Sequence, residues 1–440
     1  MLHFISMNRK ILQLAVPNII SNVTVPLLGL VDLALMGHMK SEVYIGAIAL
    51  GGVIFNFLYW GFGFLRMSTS GFTAQAFGEN NDSESIAILF RALLVAVVAG
   101  IIMLVLQSPI SWLSFKVIGG SPEVEHLANQ YFRIRIWAAP AALSLFVFNG
   151  WFLGMQNARF PMIIAILVNV VNIILSLFFV FGLGMKSDGV ALGTALSQYL
   201  SLITAWILFS KKYKNLVQLV SKHKLFNMEF IWRFFKVNSD IFIRTFCIIA
   251  VHTFFTSKSA SMNDTILAVN SLLLQFLLFF SFFIDGFAYA GEALVGRYVG
   301  ARSLTDLKQV VRLLFFWGTG LAIVFTILYL PGVKPVLHLL TSQEDVIQNA
   351  MPFLPWVIAL PLASFASFIW DGIYIGATSS KAMRNSLLAS TFLVFVPAYY
   401  FLNPLWDNHA LWLSILLFSI ARGAFQTFWY KSAILKPFLD

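Results

Sequence analysis

Apolar runs of about twenty residues recur along nearly the whole chain, and each is long enough to cross a bilayer as a helix. Twelve spans are read, at roughly 11–36, 43–68, 86–108, 127–153, 161–183, 189–210, 233–257, 264–290, 307–330, 350–376, 385–402 and 410–431. Composition agrees: 59% of the 440 residues are hydrophobic and 11% charged, against roughly a quarter charged in soluble domains. The sequence therefore predicts an all-α polytopic membrane protein. Pro17, Pro26, Pro140 and Pro361 are expected to break the longer helices, since each removes a backbone donor that neighbours must replace.

A net charge of +10 would suit nucleic acid if the basic residues formed a patch, but they sort into loops instead. With a cytoplasmic N-terminus, one side holds 19 Lys and Arg, including seven between Lys211 and Lys236; the other holds Lys40, Lys116, Lys186, Lys258 and Lys334. That bias places both termini in the cytoplasm of a plasma (inner) membrane protein, with the bilayer as partner and no nucleic acid. No obligate protein partner is evident. The single cysteine, Cys247, excludes an internal disulfide, and no cleavable signal peptide is read.

The chain reads as two copies of one unit. In "FNGWFLG" (148–154) and "WDGIYIG" (370–376), Asn149 aligns with Asp371, Gly150 with Gly372 and Gly154 with Gly376, an offset of 222 that also pairs Gly78 with Gly300. Six spans per copy is even, so both copies insert the same way up, related by a pseudo-two-fold axis along the membrane normal. The expected division is a lobe at 1–209, a basic cytoplasmic linker at 210–230, and a second lobe at 231–440.

Ionisable groups inside spans are rare and usually face a cavity or a partner. Asp32, in "LLGLVDLALMGH" (27–38), is the sharpest case. No other charged residue lies between Lys10 and His38, and no basic residue stands three or four positions from it. Burial raises a carboxyl pKa, so Asp32 is suited to exchanging a proton; a static packing hydrogen bond is the alternative. Four segments, "LLGLVDLALMGH", "YWGFGFLRMSTSGFTAQAFGE", "FFIDGFAYAGEALVGRYVGA" and "IWDGIYIGAT", resemble the DinF-type branch of the multidrug and toxic compound extrusion (MATE) family. The resemblance implies a V-shaped pair of six-helix lobes exporting organic, often cationic, compounds against an inward proton or sodium gradient. It also implies an ion-coupling network of Asp32, Tyr131, Asn149, Asn172 and Thr194, with bending of the first helix at Pro17; Pro26 is the second candidate hinge. Where many relatives carry a second carboxylate, this chain has Ser176.

Spacing fits that map. Asn172 and Ser176 stand four apart with Asn169 three before, one helix face; Tyr131 and Asn149 are five turns apart on another. A single carboxylate among Asn, Ser, Thr and Tyr oxygens makes a thin cage for sodium, so proton coupling through Asp32 is expected, with sodium second and no other cofactor or metal. The expected substrate pathway comprises Asp32, Arg66, Asp285 and Asp371. The last two sit among aromatic rings that attract organic cations. Alternatively they are structural carboxylates at helix breaks marked by Gly286 and Gly372, or pair with Arg66 or Arg244.

Two rival functions fit the residues less well. A flippase for lipid-linked saccharides would call for several basic residues around the cavity, whereas candidates of both signs occur. An intramembrane enzyme would need clustered acids or a His pair, but the seven histidines are scattered, and no GxxxxGK[ST] loop is present. The expectation is a secondary active exporter of small organic compounds, not an enzyme.

Overall fold

The computed structural model describes residues 2–37, 42–119, 121–219 and 228–438; the side chains of 2–4, 25, 27–37, 42, 45, 230 and 437 lie outside the described set. Among the described residues the chain is helical throughout, without strands. Twelve long helical stretches correspond to the twelve spans. They are α1 (Leu2–Gly37), α2 (Gly46–Gly78), α3 (Asp82–Val105), α4 (Pro122–Gly154), α5 (Arg159–Gly182), α6 (Ser187–Leu219), α7 (Met228–Met262), α8 (Asp264–Gly300), α9 (Leu304–Leu340), α10 (Glu344–Gly376), α11 (Ser380–Trp406) and α12 (Asn408–Leu435). Ten of these, all but α1 and α7, satisfy the length and hydropathy of a membrane span among the described residues. Large apolar side chains such as Phe401 and Phe428, each 79% exposed, ring the outside; lipid, not water, suits such a surface.

The repeat has a physical cause that the sequence hides. α2 and α4 end at Gly78 and Gly154, α8 and α10 at Gly300 and Gly376, and each is closed by a residue in the left-handed region: Asn80, Gln156, Arg302 and Thr378, with φ of 55°, 60°, 51° and 52°. At all four the next amide reaches back five residues to a carbonyl: Asn81 to Phe77's neighbour Ala76, Asn157 to Phe152, Ser303 to Tyr298 and Ser379 to Tyr374, at 2.9–3.0 Å. This is one cap used twice per half.

The glycines of the repeated motif sit where helices cross. A methyl group on Gly150 would collide with the Arg66 carbonyl of α2, and one on Gly372 with the Ala288 carbonyl of α8; Gly154 and Gly376 meet Ser70 and Glu292 in the same way. Arg66 and Ala288, like Ser70 and Glu292, are themselves 222 residues apart. Gly372 therefore marks a crossing within a continuous helix, not a break, and Gly286 likewise lies inside α8, against Ala15 and Ile19 of α1. Because backbone carbonyls cannot move aside, Gly150→Ala and Gly372→Ala should each cost about 1–3 kcal/mol. A lower thermal midpoint of the detergent-solubilised protein would register this, and an unchanged midpoint would refute the crossing.

The expected proline breaks are only partly present. A 3₁₀ turn at Ile136–Ala138 precedes Pro140, but α10 continues through Pro361, and α1 runs unbroken past Pro17 and Pro26. One lost rung is tolerated inside a bundle. Beside it Ser364 donates to the Leu360 carbonyl at 2.6 Å, as Asn18 Nδ2 donates to the Leu14 carbonyl at 2.8 Å beside Pro17.

Two compact units form, residues 20–232 and residues 1–19 with 233–440. In the first, Trp151, Phe148 and Phe152 of α4 pack against Phe209 and Tyr213 of α6, and Trp151 Nε1 donates to the Ser85 carbonyl at 2.8 Å. In the second, Asn270 of α8 joins Ser259, Asn408 and Trp412 at 2.7–3.1 Å. The start of α1 belongs here: Trp317 Nε1 donates to Asn8 Oδ1 at 2.8 Å, and the Tyr298 hydroxyl contacts Met7 Sδ at 3.3 Å. Of the expected linker 210–230, the stretch up to Leu219 continues α6 as a 3₁₀ turn, and 220–227 lie outside the described residues.

Candidate transport site

The polar face of α5 is assembled as its spacing predicts. Asn172, 1% exposed, donates from Nδ2 to Thr194 Oγ1 of α6 at 2.8 Å, while that hydroxyl donates onward to the Val190 carbonyl at 2.9 Å. Ser176, fully buried, lies one turn along with its Oγ 3.5 Å from Asn172 Oδ1. The two helices meet closely here because α6 presents Gly193, where a methyl would fall 2.9 Å from Ser176 Oγ. Asn169 Nδ2 donates to the Thr24 carbonyl at 3.1 Å, fastening α5 to α1 eight residues before Asp32. The Asp32 side chain lies outside the described residues.

Tyr131 is buried against Gly51 of α2, and its hydroxyl accepts from Arg135 Nη1 at 2.7 Å. The Arg135 guanidinium also covers the Phe55 ring, 4.6 Å from its centroid, a favourable cation–π placement. Arg135 is a candidate that the sequence reading does not single out, although its spacing of four from Tyr131 puts both on one helix face. Asn149 is half-buried, and its Oδ1 is buried with no hydrogen-bond partner among the described residues. A buried acceptor left empty costs about 1–3 kcal/mol.

The second unit treats the equivalent position differently. Asp371, 222 residues after Asn149, is 6% exposed and fully engaged. Arg244 of α7 and Arg422 of α12 both donate to its Oδ2, Arg422 at 2.7 Å, and Gln426 Nε2 donates to Oδ1 at 2.8 Å. Phe418 and Phe368 flank the Arg422 guanidinium at 5.6 and 5.9 Å. Of the options read for Asp371, the structure has the Arg244 pairing, and it adds Arg422 and Gln426. Asp285, half-buried in α8, is near enough to Arg422 for their charges to attract. Arg66 is half-buried in α2, with its carbonyl at the Gly150 crossing.

Among the described residues no cluster of His, Cys, Asp and Glu is arranged to hold a metal ion. The comparison with known proteins decides the family. The MatE family matches residues 17–178 and again 241–400, so the two matches end 222 residues apart, the period of the caps and crossings. The chain belongs to the MatE family.

Within that family it is 36% identical to DNA damage-inducible protein F of Escherichia coli over 95% of this chain and 91% of that one. It is 23% identical to the probable multidrug resistance protein NorM of Thermotoga maritima over 77% of this chain and 74% of that one. The fold is that of solved MATE transporters. A multidrug resistance MATE transporter in an outward-facing conformation superposes with a TM-score of 0.87 at 17% identity, covering 98% of this chain and 96% of that one. The bent form of the Vibrio cholerae transporter VcmN gives 0.86 at 17%, covering 100% and 99%. This MatE chain is thus an integral membrane transporter of the multidrug and toxic compound efflux family, and not an enzyme.

Proposed function

We propose that this transporter exports organic cations and amphipaths across the plasma (inner) membrane, with both termini cytoplasmic, by exchanging them for protons at Asp32. The observation that carries the reading is the asymmetry between repeat-related positions. In the second half the Asp371 site is filled by the protein's own cations, Arg244 and Arg422. In the first half the positions 222 residues earlier are Asn22 and Leu200, and Asn149 Oδ1 has no partner among the described residues. A site that carries its own permanent cations has little use for a transported one; a half with neither cation, in which Asn172, Ser176 and Thr194 offer uncharged polar groups, does.

In this reading a proton arriving from outside neutralises Asp32, α1 bends at Pro17 or Pro26, and the substrate loses its counter-charge and leaves outward. One charge moving down about 100 mV supplies roughly 2.3 kcal/mol, enough at about 1.4 kcal/mol per decade for a gradient on the order of fortyfold. The name of the Thermotoga maritima relative, a probable multidrug resistance protein, supports the substrate class.

Sodium is the second reading, because Asn149, Asn172, Thr194 and Ser176 all offer the hard oxygens it prefers. Vesicles containing the purified protein separate the two. A pH gradient without sodium is expected to drive uptake of a fluorescent organic cation. Transport driven by a sodium gradient at equal pH on both sides would defeat proton coupling.

A further inference from the structure

At one end of the unit formed by residues 1–19 and 233–440, α7, α11, α12 and the turn between α10 and α11 line an open cavity of about 460 Å³. Three cationic side chains line it: Arg233 and Lys236 from α7, and Lys381 from α11. Its one acid, Asp240, is 4% exposed and already bound by Arg384 Nη1 at 2.5 Å and Ser380 Oγ at 2.8 Å. Its charge is therefore answered from within the wall; the lining carries more positive than negative charge, and Arg233 Nη2 donates to Thr378 Oγ1 at 3.4 Å.

Other features of the lining have the same sense. Residues 380–382, the first turn of α11, form part of the wall and bring there a helix N-terminus, with its unbonded amides and partial positive charge. Thr378 and Ser432 add hydroxyls. The remainder is apolar, Val237, Ala382 and Ala433, with the Trp429 indole beside them. Net positive charge and a helix N-terminus suit an oxyanion. Apolar contacts and an indole at the ends of spanning helices suit a molecule at headgroup depth.

The cavity is not a by-product of duplication. Positions 222 residues before Arg233 and Lys236 are Ile11 and Leu14, and only Lys381 has a cationic counterpart, Arg159. The two half-chains share their helix crossings and caps, but two of the three cations belong to the second alone.

We propose that this cavity is a phosphate-binding site and that the phosphodiester of an anionic phospholipid occupies it. Such a site is independent of the coupling ion and the exported compound.

The test uses the full-length protein in neutral detergent, titrated with short-chain phosphatidylglycerol, short-chain phosphatidylcholine or inorganic phosphate, with binding read by native mass spectrometry. Phosphatidylglycerol is expected to bind in preference to phosphatidylcholine. At about 1 kcal/mol per basic residue near the headgroups, Lys236→Gln with Lys381→Gln should weaken it on the order of thirtyfold. Both lysines are exposed, so the fold should tolerate the change, and Lys236→Arg with Lys381→Arg should retain binding. Lys308→Gln with Arg312→Gln, exposed on α9 and outside the cavity, should leave affinity unchanged. Inorganic phosphate binding with the same dependence on Lys236 and Lys381 would support the oxyanion site and assign it to free phosphate. Equal binding of the two lipids without phosphate binding, or full phosphatidylglycerol binding by the Gln variant, would overturn the proposal.

Discussion

Asp371→Asn is expected to destabilise the protein more than Arg422→Met, although the second change removes far more atoms. The aspartate is the only acid among the hydrogen-bonded partners of its cluster; Arg244, Arg422 and Gln426 all converge on its two oxygens. All four residues are less than a tenth exposed. Removing the carboxylate leaves two guanidiniums, both buried and now facing each other with like charge. Breaking a buried pair from one side costs about 3–5 kcal/mol, because an uncompensated charge remains in low dielectric. Arg422→Met instead leaves Asp371 with Arg244, a neutral pair, and the methionine fills space beside Phe418 and Phe368; its cost should be about 1–3 kcal/mol. Thermal unfolding of the detergent-solubilised variants gives the order directly. If Arg422→Met proved the more damaging, the cluster would not be organised around Asp371. Folded Asp371→Asn protein should still show proton-driven export, since the coupling site is assigned to the other half.

Much of this architecture was legible in the sequence because a bilayer imposes few solutions. A run of about twenty apolar residues can hardly be anything but a spanning helix, and ends were misjudged only where helices such as α2 and α8 continue beyond the apolar stretch. The duplication was legible in Gly150, Gly154, Gly372 and Gly376, which keep their identity because a carbonyl on the crossing helix leaves no room for a side chain. The cap residues were not legible. Asn80, Gln156, Arg302 and Thr378 share a backbone conformation and no chemistry, so no residue type betrays the repeat.

The site divides along the same line. Asn169, Asn172 and Ser176 share a face by local geometry, and the structure gives that face partners on α1 and α6. Arg135 on Tyr131 is a local pair that spacing alone would have revealed. Arg422 on Asp371 joins residues 51 apart, and which faces of α10 and α12 meet depends on packing that no local period encodes. The expected break at Pro361 is absent for a different reason: the proline removes one hydrogen bond from a helix that packing keeps continuous.

Asp32→Asn carries the other large expected effect. An amide of the same size keeps the packing of α1 but cannot bind or release a proton in the accessible pH range, so a carrier that couples through this carboxyl should stop cycling with the gradient. Stability should change little by comparison with Asp371→Asn, which separates loss of coupling from loss of fold. Asn169 and Asn172, which tie the α5 face to α1 and α6, should still hold the surrounding helices in place.

The deciding measurement is efflux of a fluorescent organic cation in sodium-free vesicles energised by a pH gradient alone, comparing the native protein with Asp32→Asn at matched reconstitution. Proton exchange at Asp32 predicts rapid native transport and a variant rate indistinguishable from protein-free vesicles. Equal rates in the two would contradict it and place the coupling elsewhere in the molecule.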